Sequence, residues 1–447
     1  MSKFTTPSRV EGDINLSPRR RAWVAHHLDA PTRSLLDADA KVFLHQSLST
    51  PCLNALRGCE VIYLEDAQGR RIMDFHGNSV HQVGYANPRV MDAVGRQLEG
   101  LSFCPRRYTN EPAVRLARKL VELSPGDLGK VLLAPGGSLA MGMALKLVRY
   151  ATGRFKTISM WDAFHGASLD AISLGGEALF RKGVGPLLPG TEHVPPPEPR
   201  ACVFDCGGRC THKCADYIGY VMEREGDIAA VIAEPMRCTT VTPPPKDYWQ
   251  RVREICDHHG ALLVFDEIPI GLGRTGSMFY CEQLGVTPDI LVIGKGLGGA
   301  VMPIAAMIAR RDLDVCGEVA LGHYTHEKSP LGAAAALATI ACIEEEGLLA
   351  RTRELGRYAL ERLGELKQRF ELIADVRGVG LQLGVELRRD GEKAVKEAER
   401  ILYGCLVRGL SFKVSDGHVL TLSPPLVITR AQLDEALGIL EAVIAAV

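Results

Sequence analysis

Between about residues 130 and 310, short runs of apolar residues alternate with stretches of helical periodicity. The runs are predicted to be strands, and they lie at residues 130–134, 157–160, 229–233, 261–265, 289–293 and 303–308. Between two of them, Val252, Ile255 and Cys256 fall on one face of a predicted helix that ends at Gly260. Strands that are apolar on both faces and separated by helices are typical of a mostly parallel sheet covered by helices. The pattern therefore predicts an α/β domain whose ligands lie at the carboxyl ends of the strands.

The flanking segments follow other patterns. Residues 1–60 have weak periodicity and are predicted to form an N-terminal arm of short helices, and residues 60–74 read as a hairpin that turns at Asp66 to Gly69. Residues 187–216 are rich in proline, glycine and cysteine, so we expect an irregular excursion there. Beyond residue 330, two long helical patterns, a β-rich section and a final helix from Arg430 predict a smaller α+β domain. The predicted division is an arm at 1–60, a large domain at 61–325 and a small domain at 326–447, with the hairpin near 60–74 assigned to the small domain.

Composition and charge narrow the classes of function. The chain has 447 residues, of which 46% are hydrophobic, so it can bury a large core and is not an intrinsically disordered protein. Its 52 basic and 53 acidic residues give a formal charge of -1, so no overall positive field attracts nucleic acid or an anionic membrane. No apolar stretch approaches the roughly 20 residues of a membrane span, and no export signal is visible. We therefore expect a cytoplasmic protein whose partners are small molecules and copies of itself.

Thirteen cysteines in such a chain are expected to be reduced thiols. Four of them follow at equal spacings, Cys202, Cys206, Cys210 and Cys214, with His212 among them. Equal spacings with Gly207 and Gly208 inside do not match the paired cysteines of common zinc sites. The pattern favours a thiol-rich loop, and a metal site stays open as the alternative.

Two predicted strands end in residues suited to amine chemistry. Lys295 follows one strand between Gly294 and Gly296, where loss of solvent would favour its neutral, nucleophilic amine and Schiff-base formation. Asp266 follows another strand, and an aspartate there could hold the proton on the pyridine nitrogen of pyridoxal phosphate. Taken singly, Lys295 could be an ordinary surface lysine and Asp266 a helix cap.

Two further strand ends complete a pattern. Gly136, Gly137 and Ser138 lead into a helix, where backbone N–H groups and the helix dipole favour an anion. Phe164, next to His165, follows another strand and could stack on a planar cofactor, although core aromatics are commoner. The order of anion seat, aromatic, aspartate and lysine indicates a single cofactor site.

With these motifs the chain resembles the class III aminotransferases, pyridoxal-phosphate enzymes of fold type I. The resemblance runs from about residue 60 to the C-terminus and also includes Ala233-Glu234-Pro235, Gly273-Arg-Thr-Gly276, Ser329-Pro330, Gly378-Val-Gly-Leu381 and Pro424-Pro-Leu426. It implies an α/β large domain with a mostly parallel, seven-stranded-type sheet covered by helices, a small α+β domain, and a homodimer with shared active sites. The cofactor it implies is pyridoxal 5'-phosphate.

The resemblance also implies the roles of individual residues. Lys295 is expected to form the Schiff base and Asp266 to hold the pyridine nitrogen, and these two are the predicted catalytic residues. The predicted cofactor contacts are Gly137, Ser138, Phe164, His165, Asp266, Lys295, Glu234 and, from the neighbouring subunit, Thr325. Glu234 is expected to be a structural acid near the cofactor, and no metal is expected in the site.

The departures from the family pattern bear on the substrate. Acids usual in the phosphate turn are replaced by Leu139 and Gly142, and the segment 421–424 lacks the arginine that usually binds an α-carboxylate. New cations appear instead at Arg106, Arg107 and Arg237, whose guanidinium groups suit phosphate-like oxygens. His326 and Glu327 are candidates for protonating a leaving group, or equally for a helix cap. We predict that these five residues bind the substrate.

Together with Tyr324 to Lys328 and Ser159 to Asp162, these cations resemble the subgroup that acts on (R)-1-hydroxy-2-aminoethylphosphonate as an ammonia-lyase. That resemblance implies elimination of the hydroxyl after the substrate amine has replaced Lys295 on the cofactor, giving phosphonoacetaldehyde and ammonia. The enzymatic alternative is an aminotransferase that passes an amino group from an amine or aminophosphonate to an oxo acid. A non-enzymatic pyridoxal-phosphate-binding regulator would need an attached helix-turn-helix or a lost lysine, and neither is seen.

Overall fold

The computed structural model describes residues 17–46, 49–206 and 210–447. The first sixteen residues of the predicted arm, and Gly207 and Gly208 of the cysteine segment, lie outside the described residues. The helices are α1 (Pro18–His27), α2 (Ala30–Val42), α3 (Pro88–Gly100), α4 (Glu111–Leu123), α5 (Gly137–Thr152), α6 (Leu169–Leu174), α7 (Ala178–Arg181), α8 (Lys213–Glu225), α9 (Tyr248–His259), α10 (Tyr280–Leu284), α11 (Pro330–Glu345), α12 (Leu348–Arg369), α13 (Val395–Val407) and α14 (Arg430–Ile444). The strands are β1 (Leu56–Glu60), β2 (Tyr63–Asp66), β3 (Arg71–Asp74), β4 (Leu128–Ala134), β5 (Lys156–Met160), β6 (Thr191–Val194), β7 (Ile228–Ala233), β8 (Leu262–Asp266), β9 (Ile290–Ile293), β10 (Ala305–Arg310), β11 (Ile373–Val379), β12 (Gln382–Arg389), β13 (Glu392–Lys393), β14 (Leu410–Ser411), β15 (Lys413–Ser415) and β16 (Val419–Leu422).

The contacts divide the chain into two compact units. The larger unit comprises residues 78–238 and 242–351, and the smaller comprises residues 1–77, 239–241 and 352–447. The predicted small domain began at residue 326, whereas the smaller unit resumes only at Thr352. The reason is that α11 packs on α3, on α4 and on the 3-10 turn at Lys295, all of which belong to the larger unit.

The larger unit is built on a seven-stranded sheet in the order β4-β10-β9-β8-β7-β5-β6. Every strand pair within β6, β5, β7, β8 and β9 is parallel, and β10 runs antiparallel between β9 and β4. All residues of β7, β8 and β9 are buried, which explains why these strands read as continuous apolar runs. The predicted α/β class and mostly parallel sheet are confirmed.

One part of the sequence prediction for this unit is wrong. The segment 187–216, expected to be irregular, contains the edge strand β6 and the start of α8. Three of the four residues of β6 are only half-buried, and the strand pairs only with β5, so its sequence lacks the apolar run that marks an interior strand.

The smaller unit contains two antiparallel-rich sheets. The predicted hairpin is present as β2 and β3, but it is extended by β1 on one side and by β14 in parallel on the other. The second sheet has the order β11-β12-β16-β15, with β13 paired to β12. Trp23 and Leu28 of the N-terminal helices pack with Tyr403 of α13, which fixes the described part of the arm. Thus the last residues of the predicted arm form a strand, because Leu56 to Glu60 pair with Tyr63 to Asp66.

None of the helices in the described residues combines the length and the apolar character needed to cross a bilayer.

Candidate active site

The predicted functional residues of the larger unit follow the carboxyl ends of its strands. Gly137 and Ser138 follow β4, Phe164 and His165 follow β5, and Glu234 follows β7. Asp266 is the last residue of β8 and pairs with Val292 of β9, three residues before Lys295. Because β4, β5, β7, β8 and β9 all point the same way, these side chains meet at one edge of the sheet.

Asp266 forms a buried ion pair at this edge. Its Oδ2 lies 2.9 Å from Nδ1 of His165, and Ser159 Oγ lies 3.3 Å from the other ring nitrogen. The second carboxylate oxygen accepts the N–H of Ile268 at 3.1 Å, so Asp266 does not cap a helix. Burial lowers the pKa of His165, but the hydrogen bond to Asp266 and the charges of Asp266 and Glu234 outweigh burial, so that its pKa is raised. His165 therefore holds the Asp266 carboxylate in place.

Glu267, the acid that follows Asp266, makes different contacts. Its two carboxylate oxygens accept the N–H groups of Tyr280 and Cys281 at 2.5 and 2.7 Å. Burial raises the pKa of Glu267 to about 7. Of this acidic pair only Asp266 contacts His165, so the choice of Asp266 as the functional acid agrees with the geometry.

Lys295 begins a 3-10 turn directly after β9. Its φ is +46°, and a Cβ on the preceding Gly294 would be in tight contact with Ala305, 3.2 Å from its Cβ. In the single chain Lys295 is exposed, contrary to the expected desolvation. It lies in the 3-10 turn beyond the end of the buried strand. Desolvation of this amine consequently requires something that covers the strand ends.

The predicted anion-binding site lies at the first turn of α5. Gly136 is the N-cap and offers no side chain to the exposed N–H groups, and a Cβ on it would meet no atom within 4 Å. A Cβ on Gly137 would lie 2.8 Å from Ile268 Cδ1 and would require that side chain to shift, and a Cβ on Gly166 would overlap Ser138. Ser138 Oγ accepts the N–H of Ala167 at 3.2 Å. The helix start therefore keeps open space in front of its N–H groups, as an anion requires.

Glu234 connects two of the strand-end loops. Its carboxylate accepts the N–H of Phe164 at 3.2 Å and the N–H of Cys238 at 3.1 Å. The Phe164 ring packs on Phe180 with the ring centroids 4.4 Å apart. Glu234 thus positions the loop of Phe164 and the loop that carries Arg237.

Arg237 is distinctive among the predicted substrate cations. It is half-buried, and its Nε is buried with no hydrogen-bond partner among the described residues. Its backbone is held by an antiparallel bridge to Thr242, whose N–H donates to Arg237 O at 3.1 Å. A buried donor without an acceptor is costly, so Arg237 is poised for an acceptor that a ligand would bring.

The other predicted substrate residues lie on two exposed loops that contact each other. Arg106 and Arg107 are exposed, and neither side chain has a hydrogen bond or ion pair with any other described residue. Their loop meets the loop of Thr325 and His326 through an edge-on contact of the Phe103 and His326 rings, with centroids 5.1 Å apart. Asn110 Nδ2 also donates to Lys328 O at 3.0 Å. The structure therefore brings these residues onto one surface.

Within the second loop, Glu327 has a structural contact. Its Oε2 accepts the N–H of Tyr324 at 3.2 Å and closes the turn that exposes Thr325 and His326. The helix-cap alternative for Glu327 is wrong, because Ser329 is the N-cap of α11 and accepts the N–H of Gly332.

Sequence reasoning missed Asp170 and the role of Ser159. A Cβ on Gly142 would overlap the carboxylate of Asp170, so Asp170 on α6 occupies the space that the missing acid of α5 leaves. Burial, then Asp170 and Glu327, raise the pKa of Tyr324, which places Asp170 close to the Thr325 loop. Sequence patterns within one element cannot reveal such a substitution, since the two positions are far apart in the chain.

Comparison with known proteins identifies the family of the chain. The model of the family "Aminotransferase class-III" matches residues 48–444. The chain is 49% identical to an (R)-1-hydroxy-2-aminoethylphosphonate ammonia-lyase of Vibrio splendidus, over 99% of this chain and 96% of that protein. It is 38% identical to a leucine/methionine racemase of Thermococcus litoralis, over 85% of this chain and 88% of that protein. An amine transaminase from an uncultivated Pseudomonas species, solved in a PLP-bound form, superposes with a TM-score of 0.84 at 29% identity and covers 91% of this chain and 98% of its own.

Proposed function

Because the chain belongs to the class III aminotransferase family, we propose that it is a pyridoxal-phosphate ammonia-lyase that acts on (R)-1-hydroxy-2-aminoethylphosphonate. The observation that carries the proposal is the identity of 49% to a lyase of that name across nearly the whole of both chains. Other members of the family catalyse different reactions, so the proposal depends on this similarity together with the cations around the site.

The residues at the strand ends fit the cofactor. Open space in front of the α5 N-terminus suits a phosphate group, and Ser138 and Gly137 would hold it with their backbone. Asp266, positioned by His165, would hold the proton on the pyridine nitrogen. Lys295 follows the neighbouring strand and would bind the aldehyde carbon. Covering of this edge by the bound cofactor would also desolvate Lys295.

Once bound, pyridoxal phosphate supplies an electron sink for the carbon that carries the amino nitrogen. The protein contributes the proton transfer and the orientation. Lys295 Nζ, when not bound to the cofactor, would take the proton from that carbon. Asp266 would stabilise negative charge on the cofactor ring by keeping the ring nitrogen protonated.

Arg237 is the residue that we assign to the phosphonate. Its unpaired, buried Nε offers a hydrogen bond that the phosphonate oxygens accept, and the guanidinium charge balances the anion. Anchoring the phosphonate orients the neighbouring carbon, from which the hydroxyl leaves with a proton as water. His326 is the candidate donor of that proton. The enamine that remains takes up one water and yields phosphonoacetaldehyde and ammonia, so the overall reaction consumes no net water.

Ammonia release without an oxo acid tests the proposal. Holoenzyme is incubated with excess aminophosphonate and no acceptor, and ammonia and aldehyde are measured against time. We expect many equivalents of both products per active site. Release of one equivalent of the hydroxylated aldehyde without ammonia, followed by a stall that an added oxo acid relieves, would identify an aminotransferase instead.

The enantiomer of the substrate provides the matched control. The (S)-hydroxy compound has the same amine and phosphonate but directs the leaving group elsewhere, so we expect it to bind and to be turned over more slowly. Activity with 2-aminoethylphosphonate, which lacks the hydroxyl, is expected only as transamination.

A further inference from the structure

The cysteine segment between β6 and α8 has a geometry that the active site does not use. Cys202 Sγ and Cys206 Sγ lie 3.2 Å apart. A tight turn produces this approach, because the N–H of Asp205 donates to Cys202 O at 3.0 Å and Asp205 has a φ of +50°. Both thiols are half-buried and therefore accessible to small molecules.

The other two cysteines of the segment behave differently. Cys214 is buried in the first turn of α8, and burial raises its pKa to about 12, so its thiol stays protonated. Cys210 Sγ accepts the N–H of His212 at 3.4 Å. In the described part of the chain, no three His, Cys, Asp or Glu side chains are arranged to hold a metal ion. The geometry thus singles out a pair of thiols.

The same segment is hydrogen-bonded to the loop that follows Arg237. On one side of the cysteines, Thr242 Oγ1 donates to Glu198 Oε2 at 3.2 Å. On the other side, His212 Nε2 lies 2.8 Å from Lys246 O. Since Thr242 pairs directly with Arg237, the cysteine turn is connected to the Arg237 backbone by a short chain of hydrogen bonds.

We propose that Cys202 and Cys206 form a reversible disulfide, with a small-molecule disulfide as the oxidant, and that the disulfide weakens substrate binding through the Arg237 loop. The second part rests on the proposed function, whereas the first does not. Closing the disulfide draws the two sulfur atoms of the turn together, and Glu198 and His212, which flank the turn in the sequence, are hydrogen-bonded to the loop that follows Arg237.

The chemistry balances without further reactants. Cys206 is the attacking thiol, because hydrogen bonds from Thr211 and from Cys202 and the charge of Lys213 lower its pKa. Its thiolate breaks the disulfide of the oxidant, forms a mixed disulfide and releases one thiolate. Cys202 then loses its proton and attacks Cys206 Sγ, which expels the second thiolate. The two cysteine thiols are oxidised, and the oxidant is reduced to two thiols.

Peptide mapping by mass spectrometry tests the disulfide. Reduced holoenzyme is treated with graded oxidised glutathione, quenched and digested without reduction. Cys59 is an exposed cysteine of the smaller unit and serves as the reference for exposure alone. Because the pKa of Cys206 is lowered and Cys202 Sγ lies close enough to resolve the mixed disulfide, we expect the Cys202–Cys206 disulfide to form about tenfold faster than the glutathione adduct at Cys59. A lasting adduct at Cys206, or a faster reaction at Cys59, would overturn the proposal.

Kinetics of the same samples test the coupling. We expect oxidation to raise KM for the aminophosphonate about two- to tenfold, as for the loss of one hydrogen bond. Reduction should restore the original KM. Oxidation should no longer raise KM in Cys206→Ser or Cys202→Ser, but it should still do so in Cys59→Ser. A mapped disulfide with unchanged KM would refute the coupling.

Stoichiometric zinc in the reduced protein, lost only on thiol modification, would refute the dithiol itself. Inactivity toward the aminophosphonate would refute the proposed function and leave the mapping result standing.

Discussion

Asp266 is a buried carboxylate, and a buried charge is costly unless a partner offsets the lost hydration. His165 is that partner, and Ser159 holds the far side of its ring. Because the pKa of His165 is raised, the ion pair contributes stability below the ordinary pKa of histidine, and this contribution is lost as the pH rises through the raised pKa. The same pair prepares the aspartate for its role toward the cofactor.

Replacement of Arg237 tests the assigned phosphonate contact. For Arg237→Ala we expect KM for the aminophosphonate to rise about ten- to hundredfold, as for the loss of a hydrogen bond to a charged group, with a smaller change in kcat. Arg237→Lys keeps the charge but not the forked geometry of the guanidinium group. Its KM should fall between those of wild type and Arg237→Ala. Steady-state kinetics provide the measurement, and Arg118→Ala, at an exposed arginine of α4, is the matched control. Unchanged KM in Arg237→Ala would contradict the assignment.

Lys295 has its own spectroscopic test. Lys295→Ala should lose the yellow absorption of the lysine-bound cofactor and about a thousandfold or more of kcat, because no other group supplies the amine at that place. Lys182→Ala, at an exposed lysine, should change neither. Colour and activity that survive in Lys295→Ala would show that another residue binds the cofactor.

At the scale of elements, β12 carries the main charged network of the second small-unit sheet. Glu386 Oε2 accepts from Arg377 Nη1 and Oε1 from Arg388 Nε, each at 2.8 Å, and His418 Nε2 lies 3.7 Å from Oε1. Arg377 also donates to the carbonyls of Thr240 and Val241, which ties residues 239–241 to the sheet. His418 and then the two arginines hold the pKa of Glu386 well below its usual range, against the effect of burial.

This network makes the stability of the protein depend on pH in a defined direction. Since the folded-state pKa of Glu386 is lowered, its contribution is complete above about pH 4.3, the unfolded value, and is lost as the pH falls toward the folded value. Glu386→Gln should lower the free energy of unfolding at pH 7 by about 2 kcal/mol. Urea denaturation at several pH values should show the difference from wild type shrinking below about pH 4.3. Glu361→Gln, at an exposed position of α12, is the control. An equal loss of unfolding free energy in Glu386→Gln at all pH values would contradict the assignment.

The elements also show what sequence could predict. Interior strands such as β8 and β9 were predicted correctly because burial on both faces demands continuous apolar residues, and their ends indicated Asp266 and Lys295 as candidate site residues. The edge strand β6 lacks that signature, since water reaches it. The pairing of Asp170 with Gly142 depends on the packing of α6 on α5, and the exposure of Lys295 depends on a turn, so neither is encoded in a local pattern.

For the whole molecule, the surface formed by the two loops of residues 103–108 and 323–328 is the main unexplained feature. It carries predicted site residues, yet Arg106, Arg107, Thr325 and His326 are exposed in the single chain. The two loops contact each other, so they form one continuous surface. A homodimer in which this surface completes the site of the neighbouring subunit would explain both the exposure and the charges.

Complementation between two inactive variants tests that arrangement. Lys295→Ala removes the amine, and Thr325→Asp places a negative charge where the neighbouring subunit's cofactor phosphate is expected. If Thr325 acts across the interface, a heterodimer of the two variants has one site with both changes and one site with neither. Co-expression with two different tags and tandem purification isolate that heterodimer, and we expect about half of wild-type activity per dimer. If Thr325 acted within its own chain, each site would carry one change, and the heterodimer would be as inactive as either parent.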